Sequence, residues 1–569
     1  MPNDAPQNRP VSRMTELTVR TEPIGGSPLA RAAIDGALGE WYVPRPASVD
    51  GWRLRAETVR KSFEGRTWLD ALRPAFGATG AAAARLERVV NGRGIVVTTG
   101  QQPGLFGGPV YTWSKALSAL TLADEIEAAT GIPTAPVFWA ANDDADFAEA
   151  CWTAVAVPGG AERLSVAAGA ELGRTMADMP LGDVAAALDT LTRAAGATID
   201  DRPIAAARNA YRPGATVGGA YLAFLREVFE PLGIPVLDAA HAAVAQATRP
   251  QLVRALDRAA VVADALHERD RAIAARGFTP QVAEVAGLSL VFERRANGEK
   301  RRIPMTEAGA IAAAGAPDGT RILSPNVLLR PVIERAMLPT VAYVAGPGEF
   351  SYFAQVSAVA AALGLEAPMA VPRWSTTIVE PHIARILSRL GVEEAELAHP
   401  HAPEGRLARA AVPTRVTDVL SSFRSEVARS ASDLAAALRE GELPIPSEVV
   451  DGLRRAIGHR LDRVERRVVA AAKRRDQEAM MQIATARGAL FPLGKRQERA
   501  LNIIPFLARH GTLVTRLMAD AARAHARVLV GTFAVTEGQP DQRSVGERAR
   551  ASSATATMNP VEPTPAADA

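Results

Sequence analysis

The stretch Gly94-Ile-Val-Val-Thr-Thr-Gly-Gln-Gln-Pro-Gly-Leu-Phe-Gly-Gly-Pro109 decides the fold. From Gly94 to Gly100, β-branched residues run together between two glycines, the mark of a short buried strand. Thr98 to Pro109 then carries four glycines and the adjacent pair Gln101 and Gln102, which reads as a turn. A helix is expected next. Pro109 suits a first helical position, Tyr111 to Ala129 has apolar residues at helical spacing, and Gly131 with Pro133 stops it. Ala135-Pro-Val-Phe-Trp139 reads as a second strand. Strand, helix and strand within about fifty residues imply parallel pairing and a right-handed crossover. The expected fold class is α/β, with a Rossmann-like parallel sheet core.

Outward from this unit, the spacing predicts a segment packing on the core over 1–85, the first half of the core over 86–150 and a mostly helical insertion over 151–280. Strand-like runs at Leu288 to Glu293, Arg321 to Leu323 and Thr340 to Val344, helix-like Phe350 to Leu363 and the apolar run Pro368 to Pro372 suggest that the sheet resumes over 281–412. Beyond it, Leu420, Phe423, Val427, Leu434 and Leu438 precede a loop with Pro444 and Pro446. Leu453, Ile457, Leu461, Val464 and Val468 follow. Steps of three and four with dense Arg and Glu between them predict an antiparallel coiled-coil hairpin within 413–535, able to pack on itself or on a second subunit. Ser447 is the expected cap of its second helix. The tail over 536–569 is poor in large apolar residues and is expected to be disordered, as are the first dozen residues.

Composition excludes several function classes. Lys and Arg number 65 against 62 Asp and Glu, a net +3 that is small for 569 residues and points to no nucleic-acid partner. The single cysteine, Cys151, cannot form an internal disulfide, and Asp4 and Glu16 stand where a secretory apolar core would lie, so the cytoplasm is the expected compartment. The most apolar stretch, Val356 to Val371, is broken by Glu366 and Pro368 and is too short to span a bilayer. Histidines and Cys151 show no metal-ligand spacing, and there is no G-x-S-x-G element.

Ligands of open α/β sheets bind at the carboxyl ends of the strands, where the glycine turn lies. Its glycines let backbone approach a phosphate or carboxylate, and the helix N-terminus offers unpaired N–H groups. Gln101 and Gln102 can read polar edges, and Lys115 adds positive charge. The spacing is neither G-x-G-x-x-G nor a P-loop, and the turn could serve only to close the junction. The second strand ends in Asn142-Asp-Asp-Ala-Asp146, putting Asp143, Asp144 and Asp146 at the same sheet edge. Such carboxylates can bind an amine or Mg²⁺, act as a base, or simply cap a helix. A third segment, Ser324-Pro-Asn-Val-Leu-Leu-Arg-Pro331, leads to Gly346-Pro-Gly-Glu-Phe-Ser-Tyr-Phe-Ala-Gln355. Here Glu349, Tyr352 and Gln355 share roughly one helical face, and Arg373 follows another apolar run where it could meet a carboxylate.

These segments, with Phe491-Pro-Leu-Gly-Lys-Arg-Gln-Glu-Arg499, resemble the family of bacillithiol biosynthesis cysteine-adding enzymes over about Val96 to Gly511. The matching patterns are T-G-Q-Q-x-G-L-x-x-G-P-x-Y-T-x-x-K-A from Thr99 to Ala116, S-P-N-x-x-L-R-P, G-P-x-E-x-x-Y-x-x-Q and F-P-x-x-x-x-Q-E-R. The resemblance implies a Rossmann-like core, a coiled coil used in homodimerisation, and a ligase joining the carboxyl group of cysteine to the amine of glucosaminyl-malate. Amide formation at a free carboxylate needs activation, for which ATP is the expected agent. Carried over residue by residue, the catalytic set is Gln101, Gln102, Lys115, Asp143, Asp144 and Asp146. The substrate-binding set is Thr99, Gly100, Gly104, Gly108, Tyr111, Asn326, Arg330, Glu349, Tyr352, Gln355 and Arg373. Lys495, Gln497, Arg499 and Asn502 would bind nucleotide. Two departures stand out: Ala145 replaces a family histidine, the side chain suited to proton transfer near neutral pH, and Glu334 replaces a more usual glutamine. They leave open a non-catalytic nucleotide- or small-molecule-binding homologue, or a ligase for a different amine.

Overall fold

The computed structural model describes residues 16–295, 298–314 and 321–532; the expected disordered tail and the first dozen residues lie outside the described residues. At its centre five parallel strands lie in the spatial order Ala370–Pro372, Thr340–Ala345, Ile95–Gln101, Thr134–Ala140 and Val236–Asp238. Ile95–Gln101 pairs in register with Thr134–Ala140 along its whole length. Both are buried almost throughout, which is why they read as continuous apolar runs rather than alternating ones. From the central strand the chain builds outward to Val236–Asp238 and later returns to the opposite flank at Thr340–Ala345. The carboxyl end of Ile95–Gln101 is therefore a topological switch point, where loops diverge and leave a crevice.

The helix after the glycine turn runs Val110–Thr130 and stops at Gly131, whose φ of +74° needs no side chain. Pro109 stands one residue earlier than expected, at the N-cap, because Val110 N is already committed to Leu501 O at 2.8 Å. The C-terminal helix Thr512–Val530 lays Ala526, Leu529 and Val530 against Ala119, Leu122, Ala123 and Ile126 of this helix.

Three expectations need correction. Val236–Asp238, inside the expected helical insertion, is the sheet's edge strand. Leu288–Arg294 and Ile322–Pro325 do not resume the parallel sheet; with Lys300–Pro304 they form a separate antiparallel sheet, since short connections permit antiparallel pairing but not a crossover. Only Thr340–Ala345 and Ala370–Pro372 rejoin the core. The expected hairpin is present as Thr414–Glu440 and Ser447–Arg475, but its second helix is capped by Pro446 without a side-chain bond, and Ser447 is its first residue. The N-terminal segment reaches further than expected: Thr18–Thr21 pairs antiparallel with Thr376–Val379.

Candidate functional site

The glycine turn is held in one shape by bonds from other parts of the chain. A β carbon at Gly104 would stand 2.7 Å from Gly108 Cα, and Gly108 has φ +77°, so neither position accepts a side chain without displacing the turn. Asn502 threads beneath it, donating from Nδ2 to Phe106 O at 3.0 Å and Gly108 O at 3.2 Å. Tyr211 Oη donates to Gly104 O and accepts from Gly107 N, each at 3.1 Å. This network occupies part of the expected cradle of amides. Gly107 N and Gly108 N also bond within the turn, and Val110 N bonds Leu501 O, so these donors are spent inside the protein.

Lys115 too is engaged inside the protein. It is 4% exposed, and Nζ reaches Glu349 Oε2 at 2.6 Å, Gly100 O at 2.8 Å and Gln101 Oε1 at 3.1 Å. Three acceptors use its three protons, leaving no bond for a ligand. Burial pushes the ammonium pKa down, and Glu349 opposes that push. Burial also acts against ionised Glu349, but Lys115 and Arg330 hold its carboxyl below the ordinary value. Arg330 bonds Tyr343 Oη at 3.0 Å, Tyr352 Oη at 3.4 Å and Glu334 at 3.2 Å, and Tyr343 donates to Glu349 at 2.6 Å. Thr99 donates to Val344 O at 2.9 Å. These residues form a buried polar layer joining the ends of Ile95–Gln101 and Thr340–Ala345, behind the crevice.

In front of that layer lies a cleft of about 380 Å³ lined by Gln101, Gln102, Pro103, Gly104, Gly108, Pro109, Tyr111, Thr112, Glu149, Trp152, Lys495 and Arg499. Two further cavities are about 30 Å³ each, room for one or two waters. Three separated segments build the cleft. The link 500–502 draws them together, with Ala154 N donating to Ala500 O at 3.1 Å and Asn502 N to Ala154 O at 2.8 Å. Gln101 Nε2 donates to Tyr111 Oη at 3.1 Å, and Tyr111 Oη donates to Glu149 Oε1 at 3.5 Å.

Of the three aspartates, Asp144 is the one that reaches the glycine turn. Asp144 accepts from Gln102 Nε2 at 2.5 Å and from Asp146 N at 3.2 Å, so it joins the two loops. Asp146 caps the short helix Phe147–Ala150 through Glu149 N at 3.1 Å. Asp143 faces Lys300 at 3.6 Å and lines one of the small cavities.

Several expected ligand contacts are absent from the cleft lining because the side chains serve the fold. Asn326 closes the turn that leads into the helix Arg330–Met337, accepting from Leu328 N and Leu329 N. Gln355 donates to Asp270 and Val282 O, each at 2.9 Å. Gln497 is 1% exposed and bonded to Ile378 and Ala489 O. Arg373 does meet a carboxylate, but it is the chain's own: both guanidinium amines reach Glu498 at 2.7 Å with each partner 2% exposed. Lys495 and Arg499 remain at the cleft, with no ion-pair partner among the described residues; Lys495 Nζ lies 5.0 Å from the Trp152 ring.

Sequence reasoning missed Glu149 and Trp152. The available signal was spacing: Glu149 stands one helical turn after Asp146, and Trp152 opens the strand Trp152–Val157 directly after it. Burial pushes the Glu149 carboxyl above the ordinary range, Asp146 and Asp144 add to the push, and Lys115 and Tyr111 oppose it.

Known proteins share this arrangement of domains. The model for the bacillithiol biosynthesis BshC N-terminal Rossmann-like domain matches residues 35–374, and that for the BshC C-terminal coiled-coil domain matches 376–529. A protein of Solibacter usitatus (strain Ellin6076) named "Putative cysteine ligase BshC" is 32% identical over 75% of this chain and 82% of its own length. Proteins of the same name from Koribacter versatilis (strain Ellin345) and Symbiobacterium thermophilum are 30% identical over 80% of this chain and 87% of theirs, and 29% identical over 86% and 95%. With both domain models covering the sheet, the cleft and the hairpin, the chain belongs to the bacillithiol biosynthesis BshC family.

Proposed function

We propose that the chain is a carbon–nitrogen ligase of bacillithiol biosynthesis, joining the carboxyl group of L-cysteine to the amine of glucosaminyl-malate. Membership of the family supports the reaction class, since the relatives named above carry the name cysteine ligase. The observation that carries the reading furthest is the cleft of about 380 Å³, which brings the Glu149 carboxylate together with Lys495 and Arg499. A carboxylate attracts an ammonium group, and unpaired cations attract a carboxylate or phosphate.

A free carboxylate does not react with an amine at useful rates, so the hydroxyl oxygen must become a better leaving group; ATP supplies this by forming an acyl phosphate or acyl adenylate. The chain's fit for ATP rests on Lys495 and Arg499, because the Gly107, Gly108 and Val110 amides of the turn are spent internally. Among the described residues no three His, Cys, Asp or Glu side chains form a metal cluster, so Mg²⁺ would enter held largely by the nucleotide's phosphates. No helix among the described residues is long and apolar enough to cross a membrane, and a cytoplasmic enzyme is the reading we adopt. We assign the hairpin to pairing with a second copy, since Val419, Phe423, Leu453 and Val464 are each about half exposed, at 61, 54, 49 and 47%.

Ala145 favours a second reading, a homologue that binds these ligands without turnover or that acts on another amine. Purified protein incubated with cysteine, glucosaminyl-malate and ATP should yield bacillithiol by mass spectrometry. Binding of all three without product would support the non-catalytic reading, and product from a substituted amine would support the alternative ligase.

A further inference from the structure

The loop where Ala145 stands holds three aspartates and no imidazole, so the proton acceptor of the amine must come from elsewhere in the cleft. The three aspartates are poorly placed for it. Asp144 is tied to Gln102 and to Asp146 N, Asp146 caps a helix, and Asp143 faces Lys300 in a different cavity. None of the three lines the cleft, whereas Glu149 does. We propose that Glu149 is a catalytic residue of the ligation, binding the substrate ammonium and accepting its proton so that the neutral amine can attack the activated cysteine carbonyl. This inference rests on the ligase reading above.

The surroundings suit that task. Glu149 has no cation within ion-pair distance among the described residues, so its negative charge is available to a ligand. Tyr111 Oη, oriented by Gln101, reaches one carboxyl oxygen at 3.5 Å and leaves the other without a hydrogen-bond partner among the described residues. Groups around it pull in opposite directions. Asp144 and Asp146 on its own loop favour the protonated acid; Lys115 and Tyr111 of the glycine-turn helix disfavour it, and Lys495 and Arg499 stand at the same cleft. A carboxyl held above the ordinary range is better matched to an amine than an exposed one, since base strength rises with pKa while the group is still ionised near neutrality. The step balances: one R–NH3⁺ proton passes to the Glu149 carboxylate, the nitrogen lone pair attacks the carbonyl carbon of a cysteinyl phosphate or adenylate, the phosphate or nucleotide leaves with the bonding pair, and the second N–H proton released as the neutral amide forms goes to the departing phosphate oxygen or to water. Glu149 then returns its proton to water.

Two measurements on the full chain decide the matter. Turnover with cysteine, glucosaminyl-malate and ATP is compared for wild type, Glu149→Gln and Glu149→Asp, and glucosaminyl-malate binding is followed by calorimetry with ATP and cysteine omitted. Glu149→Gln should lower kcat at least 100-fold, raise the Kd for glucosaminyl-malate three- to tenfold, and remove the acid limb of the pH–rate profile. Glu149→Asp should keep part of the rate with the limb present, which a merely structural role would not produce. Turnover of Glu149→Gln within threefold of wild type would overturn the proposal. If wild type itself makes no product, the ligase reading fails separately, and the calorimetry still rules: an unchanged Kd in Glu149→Gln would sink the ammonium site, and a three- to tenfold rise would sustain it. Should Glu149→Gln not fold, the same Kd and limb criteria apply to Glu149→Asp.

Discussion

Two long helices of this chain obey opposite rules. The glycine-turn helix Val110–Thr130 buries fourteen of its 21 residues, including Lys115 and several hydroxyls, whereas Thr414–Glu440 of the hairpin buries none of its 27. In the first, buried polar groups turn to partners inside the protein: Ser118 and Thr121 donate back to Ser114 O and Leu117 O at 2.7 and 2.9 Å and Lys115 is saturated, while Thr112 Oγ1 and Trp113 Nε1 stay unpartnered. In the second, polar side chains face water and the cross-helix ties are exposed pairs such as Arg424 with Asp462 at 2.8 Å, which solvent screens. The one helix is thus chemically committed inside the fold, while the other turns its side chains to solvent. We place the binding cleft beside the first kind and propose the second as the assembly surface.

The largest expected effect lies in the buried Arg373–Glu498 pair. Glu498→Ala strands Arg373 in a 2% exposed site and should cost about 3–5 kcal/mol in urea unfolding; a loss below about 1 kcal/mol would mean that water reaches the pair.

Glu334, in the buried polar layer beside Arg330, offers a gentler probe. Burial lifts its carboxyl from 4.5 to about 7, against the pull of Arg330. The folded state keeps a proton that the unfolded chain releases, so stability is greatest below about pH 4.5 and falls by about 3 kcal/mol as pH rises to about 7. Glu334→Gln should flatten that slope, and parallel stability–pH curves for the two proteins would contradict the assignment.

At the cleft, Lys495→Ala and Arg499→Ala should each weaken ATP binding about tenfold, about 1.4 kcal/mol, with unfolding free energy unchanged within about 0.5 kcal/mol. Equal ATP affinity in the double variant would remove the nucleotide from this cleft.

The smallest effect on the single chain is expected in the hairpin. Phe423→Glu should shift stability by less than about 0.5 kcal/mol, because that ring is 54% exposed, yet it should abolish pairing seen by light scattering. A monomeric wild type, or a large destabilisation of the variant, would break the contrast between the two helices.

Local pattern determined the β-α-β unit and the hairpin, since both depend on neighbours a few residues apart: β-branched runs bounded by glycine, apolar steps of three and four, and a glycine at a left-handed helix end. The three-residue strand Val236–Asp238 was hidden because so short an element has no period of its own and exists only by pairing with Thr134–Ala140. The site divided along the same line. Gln102 and the aspartate loop meet because adjacent parallel strands bring their ends together, which the β-α-β pattern already requires. Only tertiary structure decided which charges are spent and which remain. Lys115 meets Glu349 across 234 residues of chain and Arg373 meets Glu498 across 125, while Lys495, Arg499 and Glu149 are left facing the cleft. Charge neutralisation depends on distance through space, and no spacing along the chain encodes it.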